Sequence, residues 1–326
     1  YVDVNVDISV KLKKENRAFK VEKYEHNYPH CWRTDKPIIY YPLDAWFIKT
    51  TAVKERMVEL NKTINWKPAS TGTGRFGNWL ENVVDWNLSR SRYWGTPLPI
   101  WKTDDGEEQK CIGSVEQLNQ EIKKAAAALG NGINTDYLHN GILDLHKPYV
   151  DEIILVSDSG KPMKRVPDLI DVWFDSGAMP YAQWHFPFEN KEIFAKNYPA
   201  DFIAEGVDQT RGWFYTLHAL GSLLKESVEE ELKKDGLWET SKIWHDQMNS
   251  SGMNSSGFQA GEKEFQPGEK GFQAGEKEFQ PGVAYKTVVS NGLVLDKAGN
   301  KMSKRLGNVV DPFNTINTYG ADATRW

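Results

Sequence analysis

The chain has 326 residues, room for two domains or one large domain with insertions, and its 40% hydrophobic content with 13 tryptophans supports a real core. A formal net charge of −5 excludes holding nucleic acid by bulk electrostatics, so any such contact must be local. Two separated cysteines, Cys31 and Cys111, supply neither a disulfide framework nor a zinc site and fit a reducing compartment, and no apolar run approaches the ~18 residues of a membrane span.

Residues 2–13 (VDVNVDISVKLK) alternate apolar and polar side chains, the pattern of a strand with one buried face. Residues 24–48 are aromatic-rich and broken by prolines, which predicts short strands and turns. Helical spacing of Val53, Met57 and Leu60 predicts a helix over 50–64, and GRFGNWLENVVDW (74–86) a second short one. NLSRSRYWGTPLPIW (87–101) reads as extended. A polar module follows from about 102 to 166, with a helix at 114–129 and a strand at 149–157. DVWFDSG (171–177) places Trp173 between acidic residues ahead of a glycine turn. ADFIAEGVDQTRGWFYTLHALGSLL (200–224) reads as strand, polar turn and helix, with Trp213, Leu217, Leu220 and Leu224 on one helix face. AYKTVVSNGLVLD (284–296) is a further β-branched run. Strand–loop–helix followed by a buried strand predicts a doubly wound α/β fold.

Residues 225–282 break that grammar. A charged helix gives way to MNSSG written twice, then to Phe258, Phe265, Phe272 and Phe279 at strict seven-residue spacing. Each unit carries glycine and one apolar residue where a coiled coil needs two, so the segment reads as a low-complexity, disordered insertion.

Several motifs admit two readings. In AEGVDQTRGWF, Glu205 and Asp208 suit ribose hydroxyls and Gln209 a polar substrate group, yet Asp208 also suits a helix N-cap. Trp173 and Trp213 suit the walls of an apolar pocket or plain core packing. Arg90 and Arg92 among Trp86, Trp94 and Trp101 suit a nucleic-acid surface or buried aromatic packing. LHNGILDLH (138–146) imitates histidine–glycine phosphate motifs but lacks their context, and Cys31 with His26 and His30 reads as structural. GNKMSKRLGN (299–308) puts Lys301, Lys304 and Arg305 between glycines, fitting a loop over a polyphosphate or a solvated turn.

Taken together and in order, YPHCWRTDKPIIYY, ELNKTINWKP, GTGRFGNWLENVVDWNLSRSRYWGTPLPIW, DLIDVWFDSGAMPYAQWHFPFEN, PADFIAEGVDQTRGWFYTLHAL and VVSNGLVLDKAGNKMSKRLGNVVDP resemble the class I aminoacyl-tRNA synthetases, and within them the isoleucyl-tRNA synthetase family. The resemblance spans the chain apart from 225–282. It implies the carboxyl-terminal half of a Rossmann-like (HUP-type) catalytic domain with connective insertions. The implied divisions are the trailing edge of an editing domain (1–25), catalytic segments (26–101 and 167–224), a connective insertion (102–166), the repeat insertion (225–282), and a last strand, KMSKR loop and following helix (283–326).

The implied activity is ATP- and Mg2+-dependent activation of isoleucine and transfer to tRNA(Ile), in a cytoplasmic protein, monomeric at full length and off the membrane. Lys301 and Lys304 would steady the ATP phosphates, with Met302 and Ser303 in the same nucleotide-binding loop. Glu205, Gly206 and Asp208 would face the adenylate ribose, Gln209 the amino group, and Trp173 and Trp213 the isoleucine side chain; no protein-held metal is implied. The HIGH-type ATP motif of the family is not in these residues, so the chain is expected to be inactive by itself. Arg305 stands where many relatives have serine. A non-catalytic binding module and a valine-charging relative remain open as other readings.

Overall fold

The computed structural model describes residues 2–31, 34–39, 41–130, 132–134, 137–239, 241–242, 282–300, 302 and 307–325. Two compact units divide the chain, 1–44 and 45–326. In the first, α1 (Val2–Lys14) is a helix, not the strand its alternation predicts. Among the described residues no strand pairs with it, and a helix satisfies its own backbone groups without a neighbour. The alternating Val4, Val6, Ile8 and Val10 are consequently all exposed. Lys11, Lys13 and Lys14 complement the negative end of the helix dipole.

The larger unit begins with β1 (Phe47–Ile48) and α2 (Lys54–Asn61), whose Met57 and Leu60 enter the main core. β2 (Asn65–Lys67) leads into a π-helical turn over Thr71–Phe76 and then α3 (Gly77–Glu81). β3 (Trp86–Asn87) pairs antiparallel with β1, and β4 (Ser89–Arg90) with a later strand.

β5 (Ile100–Thr103) and β6 (Gln109–Cys111) open an antiparallel sheet of order β6–β5–β10–β9. Against it packs α4 (Val115–Leu129), capped by Ser114, whose hydroxyl accepts from the Gln117 N–H at 3.1 Å while the Gln117 side chain accepts from the Gly113 N–H. β7 (Leu138–His139) and β8 (Ile142–Leu143) form a hairpin across Asn140–Gly141, both at positive φ. β9 (Ile154–Val156) is shorter than the predicted strand because Tyr149–Glu152 is a 3₁₀ turn, and β10 (Pro162–Arg165) completes the sheet. Trp101, Ile122, Ile153, Leu155 and Met163 form this module's own core.

β11 (Leu169–Ile170) pairs with β4 and leads into α5 (Val172–Ala182), so the expected glycine turn is helix. Gly177 is there for packing: a Cβ would stand 3.0 Å from the Thr216 backbone on the facing helix. α6 (Lys191–Asn197) precedes β12 (Ala200–Gly206) and α7 (Trp213–Lys234). α7 takes in the start of the charged helix expected after Leu224 as one continuous helix, so 225–234 does not belong to a disordered insertion: Val228 and Leu232 continue the apolar period and are buried in the main core. β13 (Tyr285–Asn291) lies between β12 and β2, parallel to both, giving the parallel sheet of an α/β fold. α8 (Pro312–Tyr319) and α9 (Ala321–Arg325) end the description. The repeats at 248–281 fall outside the described residues. Among the described residues no helix is long and apolar enough to cross a membrane.

Candidate functional site at the carboxyl edge of the parallel sheet

Register aligns the three strand ends: Glu205 lies opposite Ser290, Gly206 opposite Asn291, and Val289 opposite Lys67. Ligands of open α/β sheets bind outside this edge. A 3₁₀ turn, Val207–Arg211, connects β12 to α7 and carries Asp208 and Gln209. Thr210 is fully buried within it and donates its hydroxyl to the Val207 carbonyl at 2.7 Å. Glu205 and Asp208 are exposed at the edge and Gly206 is half-buried. The helix cap is not Asp208. Gln209 does that work, its Oε1 accepting from the Trp213 N–H at 3.0 Å.

The two tryptophans come together beside this turn. Asp171 caps α5 by accepting from the Trp173 N–H at 3.3 Å, and it is only 4% exposed. Trp86 Nε1–H and the Arg90 guanidinium donate to its other oxygen at 3.1 and 2.9 Å. So fixed, α5 lays the Trp173 indole against Gly212, its tip 3.4 Å from where a Cβ would sit. Trp213 Nε1–H donates to the Ser176 carbonyl at 2.9 Å, tying the second indole to α5. Trp173 remains 42% exposed. One helical turn on, Asp175 accepts from the Thr96 hydroxyl, while burial and then the Asp171 charge raise its carboxyl above the usual range against that hydrogen bond.

Arg90 is thus committed to Asp171 and to Asn87, and Trp86 and Trp101 are buried, as the packing reading has it, whereas Arg92, Tyr93 and Trp94 are exposed. His139, Asp144 and His146 form a hydrogen-bonded cluster on the hairpin, with His139 stacked on Tyr149 at 4.0 Å. His26 and His30 bond backbone carbonyls, and among the described residues no three His, Cys, Asp or Glu side chains assemble as a metal site.

β13 leads toward the KMSKR segment. Met302 is half-buried, whereas Lys301, Ser303, Lys304 and Arg305 lie outside the described residues. The approach to that segment is braced by Asp296, a residue sequence reasoning missed. Its Oδ1 accepts from the Ala298 and Asn300 N–H groups at 2.9 and 2.8 Å, and its Oδ2 from the Asn308 amide at 2.7 Å. The Asn308 amide above all, then the Asn300 N–H, holds the Asp296 carboxyl below its usual range. Its available signal was position: an aspartate five residues before Lys301 and an asparagine four after Lys304. Arg75 was missed too; its Nε–H donates to the Thr210 hydroxyl at 2.8 Å from 135 residues away.

Residues 4–231 and 275–326 match the family model for tRNA synthetases class I (I, L, M and V), the break falling within the repeat segment. The chain is 62% identical to an isoleucine--tRNA ligase of Cytophaga hutchinsonii over all of its own length and 24% of that protein's. It is 56% identical to one from Bacteroides fragilis, covering 99% of this chain and 25% of that one. It therefore spans about a quarter of the length of these relatives. A solved methionyl-tRNA synthetase of Mycobacterium tuberculosis bound by methionyl-adenylate overlays 91% of this chain and 35% of its own at 13% identity and a TM-score of 0.42, too distant to bear on the site. With a family match over most of its residues and the parallel-sheet edge in place, the chain belongs to the class I tRNA synthetases of the I, L, M and V group.

Proposed function

We propose that this chain supplies part of the catalytic site of an isoleucine-activating synthetase, which uses ATP to form isoleucyl-adenylate and passes the acyl group to tRNA(Ile). The observation that carries the reading is the meeting of Gln209, Trp173 and Trp213 at the end of β12, beside the strand that runs into KMSKR. The names of the relatives support isoleucine as the amino acid.

On this reading the two indoles wall the aliphatic side chain. An apolar wall separates isoleucine from valine by only about 1–3 kcal/mol, a limit for which this enzyme class is itself the usual example. The Gln209 Oε1 has two lone pairs; one takes the Trp213 N–H and the other is open to the substrate ammonium. Glu205, Gly206 and Asp208 face the ribose. The isoleucine carboxylate then attacks the α-phosphorus: a carboxylate O–P bond forms, the bond to the β-phosphate breaks, and pyrophosphate leaves. Lys301 and Lys304 neutralise charge on the departing oxygens, with Met302 and Ser303 in the same loop, so the chain's contribution is positioning and electrostatics. Mg2+ would screen the phosphates when bound.

The test uses a single-chain chimera in which this sequence replaces the matching quarter of the Cytophaga relative. Lys304→Ala should lower isoleucine-dependent ATP–pyrophosphate exchange by about a hundredfold or more, the scale of one lost transition-state donor. Unchanged exchange in that variant would remove the signature loop from the reaction.

A further inference from the structure

The turn that carries Asp208 and Gln209 is not held by its own strand and helix alone. It is gripped from the side by one short stretch, 71–81, which begins as a π-helix. Such π-turns are rare and concentrate at functional sites. This one is built in by its sequence. Gly72 abuts the Trp66 indole so closely that a Cβ would overlap its ring at 2.2 Å. Asn61 donates to the Gly72 carbonyl at 3.0 Å and accepts from Trp66 Nε1–H at 2.8 Å.

From that anchored turn two side chains, four residues apart, reach the 207–211 turn. Arg75 donates Nε–H to the hydroxyl of Thr210 at 2.8 Å, and the Trp79 ring lies 5.2 Å from the Arg211 guanidinium. The Thr210 hydroxyl passes the constraint on, donating in turn to Val207. Arg75 itself is exposed, and its terminal nitrogens have no partner among the described residues. It contributes little to the core.

We propose that Arg75 is a positioning residue: by holding the Thr210 hydroxyl it sets the turn that presents Asp208 and Gln209 to substrate. This rests on the functional reading above. The experiment compares Arg75→Ala, Arg75→Lys, Thr210→Val, Thr210→Ser and the double variant Arg75→Ala/Thr210→Val in the chimera. Removing either partner should raise the KM for isoleucine and for ATP about tenfold, the scale of one hydrogen bond, and leave the KM for tRNA unchanged. Thr210→Ser should behave as the unsubstituted chimera, and the double variant should be no worse than either single one. Additive losses, or an unchanged KM in Arg75→Ala, would overturn the proposal.

A second readout uses this chain as it stands. Amide hydrogen exchange over 207–213 should be at least about tenfold faster in Arg75→Ala and Thr210→Val than in Thr210→Ser, an opening of the same one-bond scale. Equal exchange in all of them would also overturn it. Should the unsubstituted chimera fail to activate isoleucine, the functional reading falls while the exchange measurement still decides the role of Arg75.

Discussion

Residues that look ready for chemistry in this chain are divided by their surroundings into those that act and those that hold. Gln209 holds, its Oε1 accepting from the Trp213 N–H at the start of α7, and in the function proposed above it also meets the substrate ammonium. Asp296 holds: with all its described bonds to the backbone and amide groups around 298–308, it ties the approach to the signature loop to its exit. His218 is fully buried, donating Nε2–H to the Met57 carbonyl at 2.8 Å, and burial pushes its pKa down to about 4. Its contribution to stability is complete above its ordinary value near 6.5. Below that the unfolded chain takes up a proton that the folded chain refuses, so stability falls as pH drops from about 6.5 to 4. Urea denaturation across this range should show a slope from this group approaching about 1.4 kcal/mol per pH unit. His218→Gln, which keeps a donor toward Met57, should lose that component; an identical slope in the variant would place the titration elsewhere.

At the scale of elements, α5 and α7 carry the two tryptophans, and Gly177 sets how closely they pack. Gly177→Ala should cost about 1–3 kcal/mol through overpacking against the Thr216 backbone. The urea midpoint should fall with little change in slope, and a midpoint equal to that of the unsubstituted chain would show that the helices part without strain. The same elements show what the sequence could and could not convey. β12, its turn and α7 were legible because apolar spacing switches from two to 3.6 residues across GVDQT. The strand expected at 2–13 was not, since alternation marks a face without supplying the partner a strand needs. α5 was hidden by Gly177, which reads as a turn residue but serves a helix contact. The charged helix after Leu224 was legible, but its continuity with α7 was not, although Val228 and Leu232 preserve the period. Trp173, Gln209 and Trp213 were named from motif likeness and do lie together, whereas Arg75 was illegible because its partner is 135 residues distant.

At the scale of the molecule, the parallel sheet has β12 and β2 as its outer strands among the described residues. β12 is an edge strand with Phe202 65% exposed and its other side chains mostly in solvent, although parallel strands are ordinarily covered on both faces. The antiparallel module built on β5, β6, β9 and β10 has a separate core, and the 87–99 segment beside it bonds Asp171 through Arg90 and Asp175 through Thr96. We propose that this chain's residues complete an isoleucine-activating site. The most direct test is ATP–pyrophosphate exchange by the chimera, with isoleucine and with valine, beside the chain alone. Exchange is expected in the chimera, with isoleucine favoured over valine by about 10- to 200-fold, and none from the chain alone. An intact, folded chimera that exchanges with neither amino acid, or that prefers valine, would contradict it.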